Sequence, residues 1–506
     1  MAAGLPALAA HLQAAGHPAR VWNLAAERSA GIRRDLARDL KPVRLLGISV
    51  HWFYQLPPAL ALARRARSIG YDGFIVLGGF TASLMARELV ERHAEIDGVV
   101  RGDAETLLPA LAHQLSLSRR RLVRVPNLVW RSRGQVRSNA FSYVGREAQI
   151  DALDFGRLDT IDHLDAHFAS SSWRAITDGS PGASMDLSRT FYLCGGRGCS
   201  VACTTCGGGR LAHRAHSRRR RVAFRSPARI ADDVQDAVRL GATSIHACFD
   251  PVPNGPHWHA FMDEVESRGI RLPMIFESFG LPDGRFLERF AEVFSGGIVV
   301  ISPETADESV RSRIRGFPFT NADLEQRLAL IGSLGLRAQV FLGYFAPLEG
   351  LAGLHRSRRW ARDLLRRHGE YMELMHYPYS TDPGSPLARR PSTFGMRCSV
   401  RTAADYEREL ELQDPWLGNL LRHSPDTGTT DDWRAAGLGV ELEQACLRHE
   451  PGMHSVLEKT LGRKIDVFFL GLARRLLAQR DPGTLDRNGL ADILRHEALK
   501  DMGAPR

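Results

Sequence analysis

The stretch Phe191-Tyr-Leu-Cys194-Gly-Gly-Arg-Gly-Cys199-Ser-Val-Ala-Cys203-Thr-Thr-Cys206-Gly-Gly-Gly209 decides how the rest of this chain is read. An apolar, strand-like entry runs into glycines and then into three cysteines with three and two residues between them, so three thiolates can converge from one short loop. Three thiolates leave one iron of a four-iron cluster without a protein ligand, and such an iron can bind and reduce a small molecule. A structural zinc site uses four ligands, and Cys194 could be the fourth. Zinc ribbons and fingers, however, pair two Cys-x2-Cys knuckles or one knuckle with histidines, and no second knuckle occurs downstream. Disulfides are disfavoured because 506 residues bury a large core without staples. Cys199, Cys203 and Cys206 are therefore the expected metal ligands, with Cys194 a buried thiol at the end of the preceding strand.

Composition sets the frame. With 44% hydrophobic and 25% charged positions the chain reads as globular, of two or three domains. Four of its 7 cysteines crowd into one loop, which suits a reducing cytoplasm. Met1 to Ala15 is apolar but has no basic leader, and His11 and Gln13 interrupt it, so a helix is expected there and not a signal peptide. No uncharged run is long enough to cross a membrane. The net charge of +10 does not by itself call for nucleic acid: only four of the 67 basic residues are lysine, a skew that codon composition produces as readily as a binding surface.

Strand and helix alternate through the N-terminal third. Leu5–Ala15 reads as a helix and Arg20–Leu24 as strand-like; Val43–Val50 is a clear strand, followed by a helix from Ala59 to Ser68. Tyr71–Gly79 is a strand ending in a glycine turn, then a helix from Ser83 to His93. The strand Ile96–Arg101 breaks at Gly102 and leads through Glu105 into a helix reaching Gln114. This alternation predicts a doubly wound parallel sheet of Rossmann type over residues 1–145, with ligands at the carboxyl ends of its strands. Asn127–Val136 predicts a hairpin turning at Gly134. Residues 146–188, rich in Asp, Ser and Gly from Asp151 onward, are expected to be an interdomain linker crossing the mouth of a second, barrel-like domain.

Over residues 189–400 six strand-like segments recur with helices between them: Thr190–Leu193, Thr243–Phe249, Leu272–Ser278, Gly297–Ser302, Arg337–Gly343 and Tyr371–Tyr377. Six such units predict an open (β/α)6 barrel, with polar residues gathered at the strand ends. Residues 401–506 read as amphipathic helices packed over the barrel, including Asp414-Pro-Trp416, His449–Met453 and Lys464–Leu470. Cys398 and Cys446 are expected to be buried apolar thiols.

The cysteine loop resembles the signature of the radical S-adenosylmethionine (SAM) enzymes, in which the open iron chelates SAM. Val76-Leu-Gly-Gly-Phe-Thr-Ala82 and Asp97-Gly-Val-Val-Arg-Gly-Asp-Ala-Glu105 resemble the two signature turns of the cobalamin-binding domain found ahead of radical-SAM domains, as in the class B methyltransferases. The resemblance implies that Gly78, Gly79, Gly102 and Glu105 border a corrin, where any Cβ would collide. It implies SAM contacts from Gly207 and Gly208 and from Ser302 and Glu304, although Glu304 reads equally well as a charge at a helix N-terminus. Thr381–Pro386 resembles a late turn of many radical-SAM domains, and Asp250 and Glu277 place carboxylates at the barrel mouth. The basic run Arg218–Arg221, with Arg210, Arg214, Arg225 and Arg229 nearby, reads first as a solvated face, and otherwise as a site for phosphates or for an acidic reductant.

Two departures stand out. Cobalt-ligating domains carry Asp-x-His-x-x-Gly, and after Val21 this chain has Asn23-Leu-Ala-Ala-Glu-Arg-Ser-Ala-Gly31 instead, so cobalamin is expected without that histidine on cobalt. His51, beside three aromatics, is expected to be packed and hydrogen-bonded. The chain also begins where the family's first helix begins, so the first strand of the sheet is expected to be missing.

The resemblance implies a cytoplasmic, oxygen-sensitive enzyme with a four-iron four-sulfur (4Fe-4S) cluster, SAM and cobalamin, acting on a small molecule with a flavodoxin- or ferredoxin-type reductant. C-methylation of an unactivated carbon is the expected reaction. The alternatives are radical rearrangement, cyclisation or coupling without methyl transfer, and, further off, a zinc-stabilised RNA-binding protein. Neither a membrane nor a nucleic-acid partner is expected.

Overall fold

The computed structural model describes residues 3–170, 186–248, 250, 255–344, 346–379, 381–398, 400–411, 423–425, 430–449 and 451–479. The first sheet has five strands in the order β1-β2-β3-β4-β5: β1 Leu45–Ser49, β2 Phe74–Gly78, β3 Gly98–Val100, β4 Leu128–Ser132 and β5 Gln135–Ser138. β1, β2 and β3 are parallel, with Gly47 opposite Val76 and Val76 opposite Gly98. The predicted hairpin exists, and it joins this sheet antiparallel to β3. Arg133 and Gly134 both take positive φ (49° and 76°), as a two-residue turn between twisted strands requires. The helix Leu56–Ser68 starts with prolines in its first turn and buries Leu56, Ala59, Leu60, Ala63 and Ala66, a stripe at helical spacing. Val76 and Val100 share a core with Leu107, Leu111 and Leu115 of the helix Leu107–Ser116. Arg20–Leu24, expected to be a strand, forms only an isolated parallel bridge, Val21 to Ile161.

That bridge ties residues 146–188 back to the N-terminal segment. Glu147–Asp151 and Leu164–Ala169 are short helices. Asp151 accepts from the Ser226 N–H at 2.7 Å, and Phe155 donates to Asp233 at 3.1 Å, so this segment is fastened to the helix Pro227–Arg239. Residues 171–185 lie outside the described residues.

A two-stranded ribbon, β7 Gly196–Arg197 with β8 Ala223–Phe224, comes after β6 Thr190–Tyr192. β6 then joins β9 Ser244–Ala247, β10 Met274–Ser278, β11 Ile298–Glu304, β12 Arg337–Tyr344 and β13 Met372–Pro378 in one six-stranded sheet of order β13-β12-β11-β10-β9-β6. The six strands are the six predicted, each beside its neighbour in sequence, and β6, β9 and β10 pair in parallel. Alternation sorts the faces. Phe276 packs on Trp258 and Phe286 of the covering helices, while Tyr192 and His246 lie ring against ring and His246 reaches Glu277 of β10 at 3.1 Å.

The chain divides into two compact units, Met1–Val300 with Ala329–Ala338 and Asp382–Ser385, and Ile301–Leu328 with Gln339–Thr381 and Pro386–Arg506. The division thus falls within β11 and β12. In the second unit the helices Thr430–His449 and Ile465–Gln479 share a core with Tyr344, Ala346 and Leu354, built around Trp433, Leu442, Phe469 and Leu472. Polar ties reinforce it. Tyr344 donates to Glu441 at 2.6 Å, and Arg358 and Arg362 both pair with the buried Glu443, Arg362 reaching Asp466 as well at 2.9 Å. Asp414-Pro-Trp416 lies outside the described residues.

Candidate functional site

In the first unit the cysteine loop leaves β6, passes through the β7/β8 ribbon and turns at Gly198, whose φ of +100° few side-chain-bearing residues adopt. Cys199 and Cys203 are buried. The Val201 N–H donates to Cys199 Sγ at 3.3 Å and the Gly208 N–H to Cys206 Sγ at 3.2 Å, the kind of bond that stabilises a thiolate and tunes a cluster. Burial pushes the Cys206 thiol well up, and Asp382, Cys203 and Cys199 push it further, so without a metal this thiol keeps its proton, which bound iron would displace. None of the seven cysteines is in a disulfide. Among the described residues no three His, Cys, Asp or Glu side chains stand close enough to grip a single metal ion. A four-iron cluster sets each thiolate on a different iron, and three thiolates from one loop fit that group.

Gly207 and Gly208 adjoin the last cysteine, but their N–H groups are engaged within the protein. Gly207 donates to Asp382 Oδ2 at 2.8 Å, and a Cβ on it would stand 2.7 Å from the Asp382 Cβ. Asp382, from the predicted Thr381–Pro386 turn, donates its own N–H to the Thr205 carbonyl at 3.0 Å. Cys194 donates to the Gly196 carbonyl at 3.4 Å, and burial raises its pKa.

The two glycine turns sit at the carboxyl ends of β2 and β3. Gly79 has φ +107°, and a Cβ there would lie 2.7 Å from the Val50 carbonyl and 2.8 Å from the His51 Cα. Gly78 faces space instead, its nearest neighbour across from it being the Val100 carbonyl at 4.0 Å. A strand end that offers room at one glycine and a tight turn at the next fits the approach of a large planar ligand. His51 is pinned by its backbone, which donates to Gln55 Oε1 at 2.7 Å and accepts from the Thr81 N–H at 3.2 Å. Its ring packs 3.9 Å from that of Phe80 and makes no hydrogen bond among the described residues, so the expected packing is present and the expected hydrogen bond is not. Burial, then Arg197, lowers its pKa to about 4.

Phe80 continues the stack onto His216, 4.1 Å away, and His213 lies 4.7 Å from His216. Both histidines come from the helix Arg210–His216 just after the cysteines, and both are buried. Burial lowers the pKa of His213 to about 4 and that of His216 well below the ordinary imidazole range. A Cβ on Gly208 would meet Phe80 at 3.4 Å and Trp52 at 3.7 Å, so the cysteine loop and the β2 turn are in direct neighbourhood.

Glu105 and Asp103 are tied by ion pairs to the cysteine loop and the run that follows it. Glu105 is 2% exposed and accepts from Arg197 at 2.7 Å and from Tyr143 at 3.0 Å. Asp103 pairs with Arg197 at 3.1 Å and Arg219 at 2.6 Å, and these cations outweigh burial to hold its pKa down. Glu105 is therefore committed to the cysteine loop, and Gly102 (φ +74°) closes against Phe141 and Ser217. The basic run is likewise mixed: Arg219 is buried and paired, as is Arg225 with Asp233, Arg229 is half-buried and paired with Asp232, and Arg214, Arg218 and Arg220 are exposed.

Asp250 is buried and accepts from Trp258 Nε1 at 3.0 Å, while residues 251–254 lie outside the described ones. Cys248, which no sequence motif singles out, is exposed at the end of β9 and shares the field of Glu277 and Cys194. In the second unit Ser302 and Glu304 end β11. Glu304 is fully buried at φ +69°, pairs with Arg315 at 2.7 Å and accepts from Tyr377. Its pKa is raised by burial against Arg315. The ion pair occupies the carboxylate, which leaves Ser302 the more open of the two.

Residues 2–112 match the family model of the B12 binding domain. Over 128 residues the chain is 32% identical to hopanoid C-3 methylase of Methylococcus capsulatus, a stretch that is 25% of this chain and 24% of that protein; the chain thus spans about a quarter of the curated relative's length. The whole fold is similar to that of the radical SAM methyltransferase TsrM from Kitasatospora setae, solved with tryptophan and a SAM analogue, at TM-score 0.60 and 17% identity over 80% of each chain. It is also similar to OxsB, a cobalamin-dependent SAM radical enzyme solved with aqua-cobalamin, at TM-score 0.51 and 14% identity over 93% of this chain and 69% of that one. The fold is thus similar to that of these two proteins, with the segment that matches the B12 binding domain ahead of the six-stranded sheet. Among the described residues no helix is long and apolar enough to cross a membrane.

Proposed function

We propose that this chain is a cytoplasmic, cobalamin-dependent radical SAM methyltransferase that places a methyl group on an unactivated carbon of a small metabolite, with electrons from a flavodoxin- or ferredoxin-type donor. The observation that carries this reading is the neighbourhood, within one unit, of the three-cysteine loop and the Gly78-Gly79 turn, with Gly208 against Phe80 and Trp52. Cys199, Cys203 and Cys206 would hold the cluster, and the ends of β1 and β2 would receive the corrin. When bound, these groups supply one-electron reduction of SAM and a transferable methyl group. The protein's own residues do the rest. Asp382 fixes the backbone after the last cysteine, Arg197 ties the loop to Asp103 and Glu105, and His51, Phe80, His213 and His216 exclude water with neutral rings. Tyr192, His246 and Glu277 give the substrate a polar wall.

Anaerobic reconstitution tests this. About four irons per chain and one bound cobalamin are expected, with both 5′-deoxyadenosine and S-adenosylhomocysteine formed from SAM in the presence of a substrate. Zinc in place of iron, or a Cys203→Ala variant that still cleaves SAM, would refute it; 5′-deoxyadenosine without methylated product would move the assignment to radical rearrangement or coupling.

A further inference from the structure

Arg214, Arg218 and Arg220 line an open cleft of about 500 Å³ on the surface of the first unit. All three are exposed, and none is paired with a described carboxylate. Their neighbours in sequence explain the arrangement. Arg219 is buried and turned the other way, donating to Asp103 Oδ2 at 2.6 Å and to the Gly145 carbonyl at 2.7 Å. That inward anchor sends the residues on either side of it outward. Arg218 is further fixed: its φ is +56°, its guanidinium lies 4.8 Å above the Phe141 ring, and Nη1 donates to the Phe141 carbonyl at 3.0 Å. Arg101 stacks on the same ring at 5.2 Å, adding positive charge beside the cleft.

A solvated basic face needs none of this. Exposed arginines usually move freely or pair with nearby acids, as Arg87 does with Glu91 and Arg366 does with Asp363. Here one guanidinium is held by stacking and a carbonyl, the backbone accepts a left-handed residue that is not glycine, and three planar cations share one concavity without a counter-charge among the described residues. Guanidinium forks match phosphate oxygens in pairs; a phosphate monoester carries about −1.5 to −2 charges at pH 7 and a phosphodiester about −1. We infer that the Arg214–Arg218–Arg220 cleft is a binding site for a phosphate or diphosphate group. Two ligands could bring that chemistry: a free organic phosphate or diphosphate, or the phosphodiester in the nucleotide tail of bound cobalamin.

Isothermal titration of the full-length, anaerobically reconstituted protein with inorganic pyrophosphate, without divalent metal, tests the site. One saturable site per chain is expected, weakened at least tenfold in the Arg214→Gln/Arg218→Gly/Arg220→Gln variant. The glycine removes the left-handed strain, so a misfolded turn is not the cause of loss. A charge-matched control, Arg119→Gln/Arg120→Gln/Arg124→Gln, should bind as the parent does. Protein loaded with cobalamin or with cobinamide, which lacks the nucleotide tail, separates the sources. Pyrophosphate excluded by cobalamin but not by cobinamide assigns the cleft to the cofactor's phosphodiester, and binding unaffected by either assigns it to a separate ligand. Absence of saturable binding, or equal weakening in the control, would overturn the inference.

Discussion

Arg197, two residues before Cys199, lies 2.7 Å from Glu105 and 3.1 Å from Asp103, so the turn that closes β3 anchors the cysteine loop. Both carboxylates are buried, and breaking such a pair from one side leaves charge without its partner. Arg197→Met is expected to cost about 3–5 kcal/mol, moderated at Asp103 because Arg219 still pairs with it. Urea denaturation measures this. Iron retained per chain should fall in the same variant although no cysteine has been touched; unchanged iron content would show that the loop holds its shape unaided.

The buried histidines predict how stability depends on pH. His213 and His51 have pKa values lowered from 6.5 to about 4, chiefly by burial. Above pH 6.5 they are neutral both folded and unfolded. Below it the unfolded chain binds protons that the folded one refuses until about pH 4, so stability is lost as pH falls through that window. For His213 the loss is roughly 3 kcal/mol. Thermal melts of the metal-free protein from pH 7.5 to 4 should show it, and His213→Phe should flatten the slope.

Gly79→Ala puts a Cβ 2.7 Å from the Val50 carbonyl at a φ of +107°. The expected penalty exceeds about 1 kcal/mol, and cobalamin binding, followed by absorbance, should weaken because the turn must move. Gly47→Ala, on β1 with no atom within 4 Å of the added carbon, is the control and should leave both unchanged.

Within the second unit, Tyr377→Phe removes a hydroxyl that donates to the fully buried Glu304. A loss of about 1–3 kcal/mol is expected. Arg315→Met, which takes away the cation itself, should cost more, about 3–5 kcal/mol. Equal effects in chemical denaturation would mean that Glu304 is already protonated, with no charge for Arg315 to balance.

Local features carried through from sequence to structure. Six apolar segments became six adjacent strands, and the Arg133-Gly134 turn was marked by its glycine. What the sequence hid was long-range and aperiodic. Glu105 and Arg197 are 92 positions apart, so nothing local in the sequence pairs them. Arg219 sits in a run of four arginines, and nothing in the run says that the second one is buried. Residues 147–170 lack periodicity because they fasten by caps and one bridge, not by an amphipathic face. His213 and His216, three apart on the helix after the cysteines, carried a signal that helical spacing could have exposed.

The Arg358–Glu443–Arg362 ties and the Tyr344–Glu441 bond bear on how this enzyme could be re-engineered. Grafting C-terminal helices from another protein would strand two buried guanidiniums and a tyrosine hydroxyl that were matched to the old helices. A workable chimera would have to exchange β12, the helix Leu351–His368 and the terminal helices as a single block, so the interchangeable part begins inside the barrel.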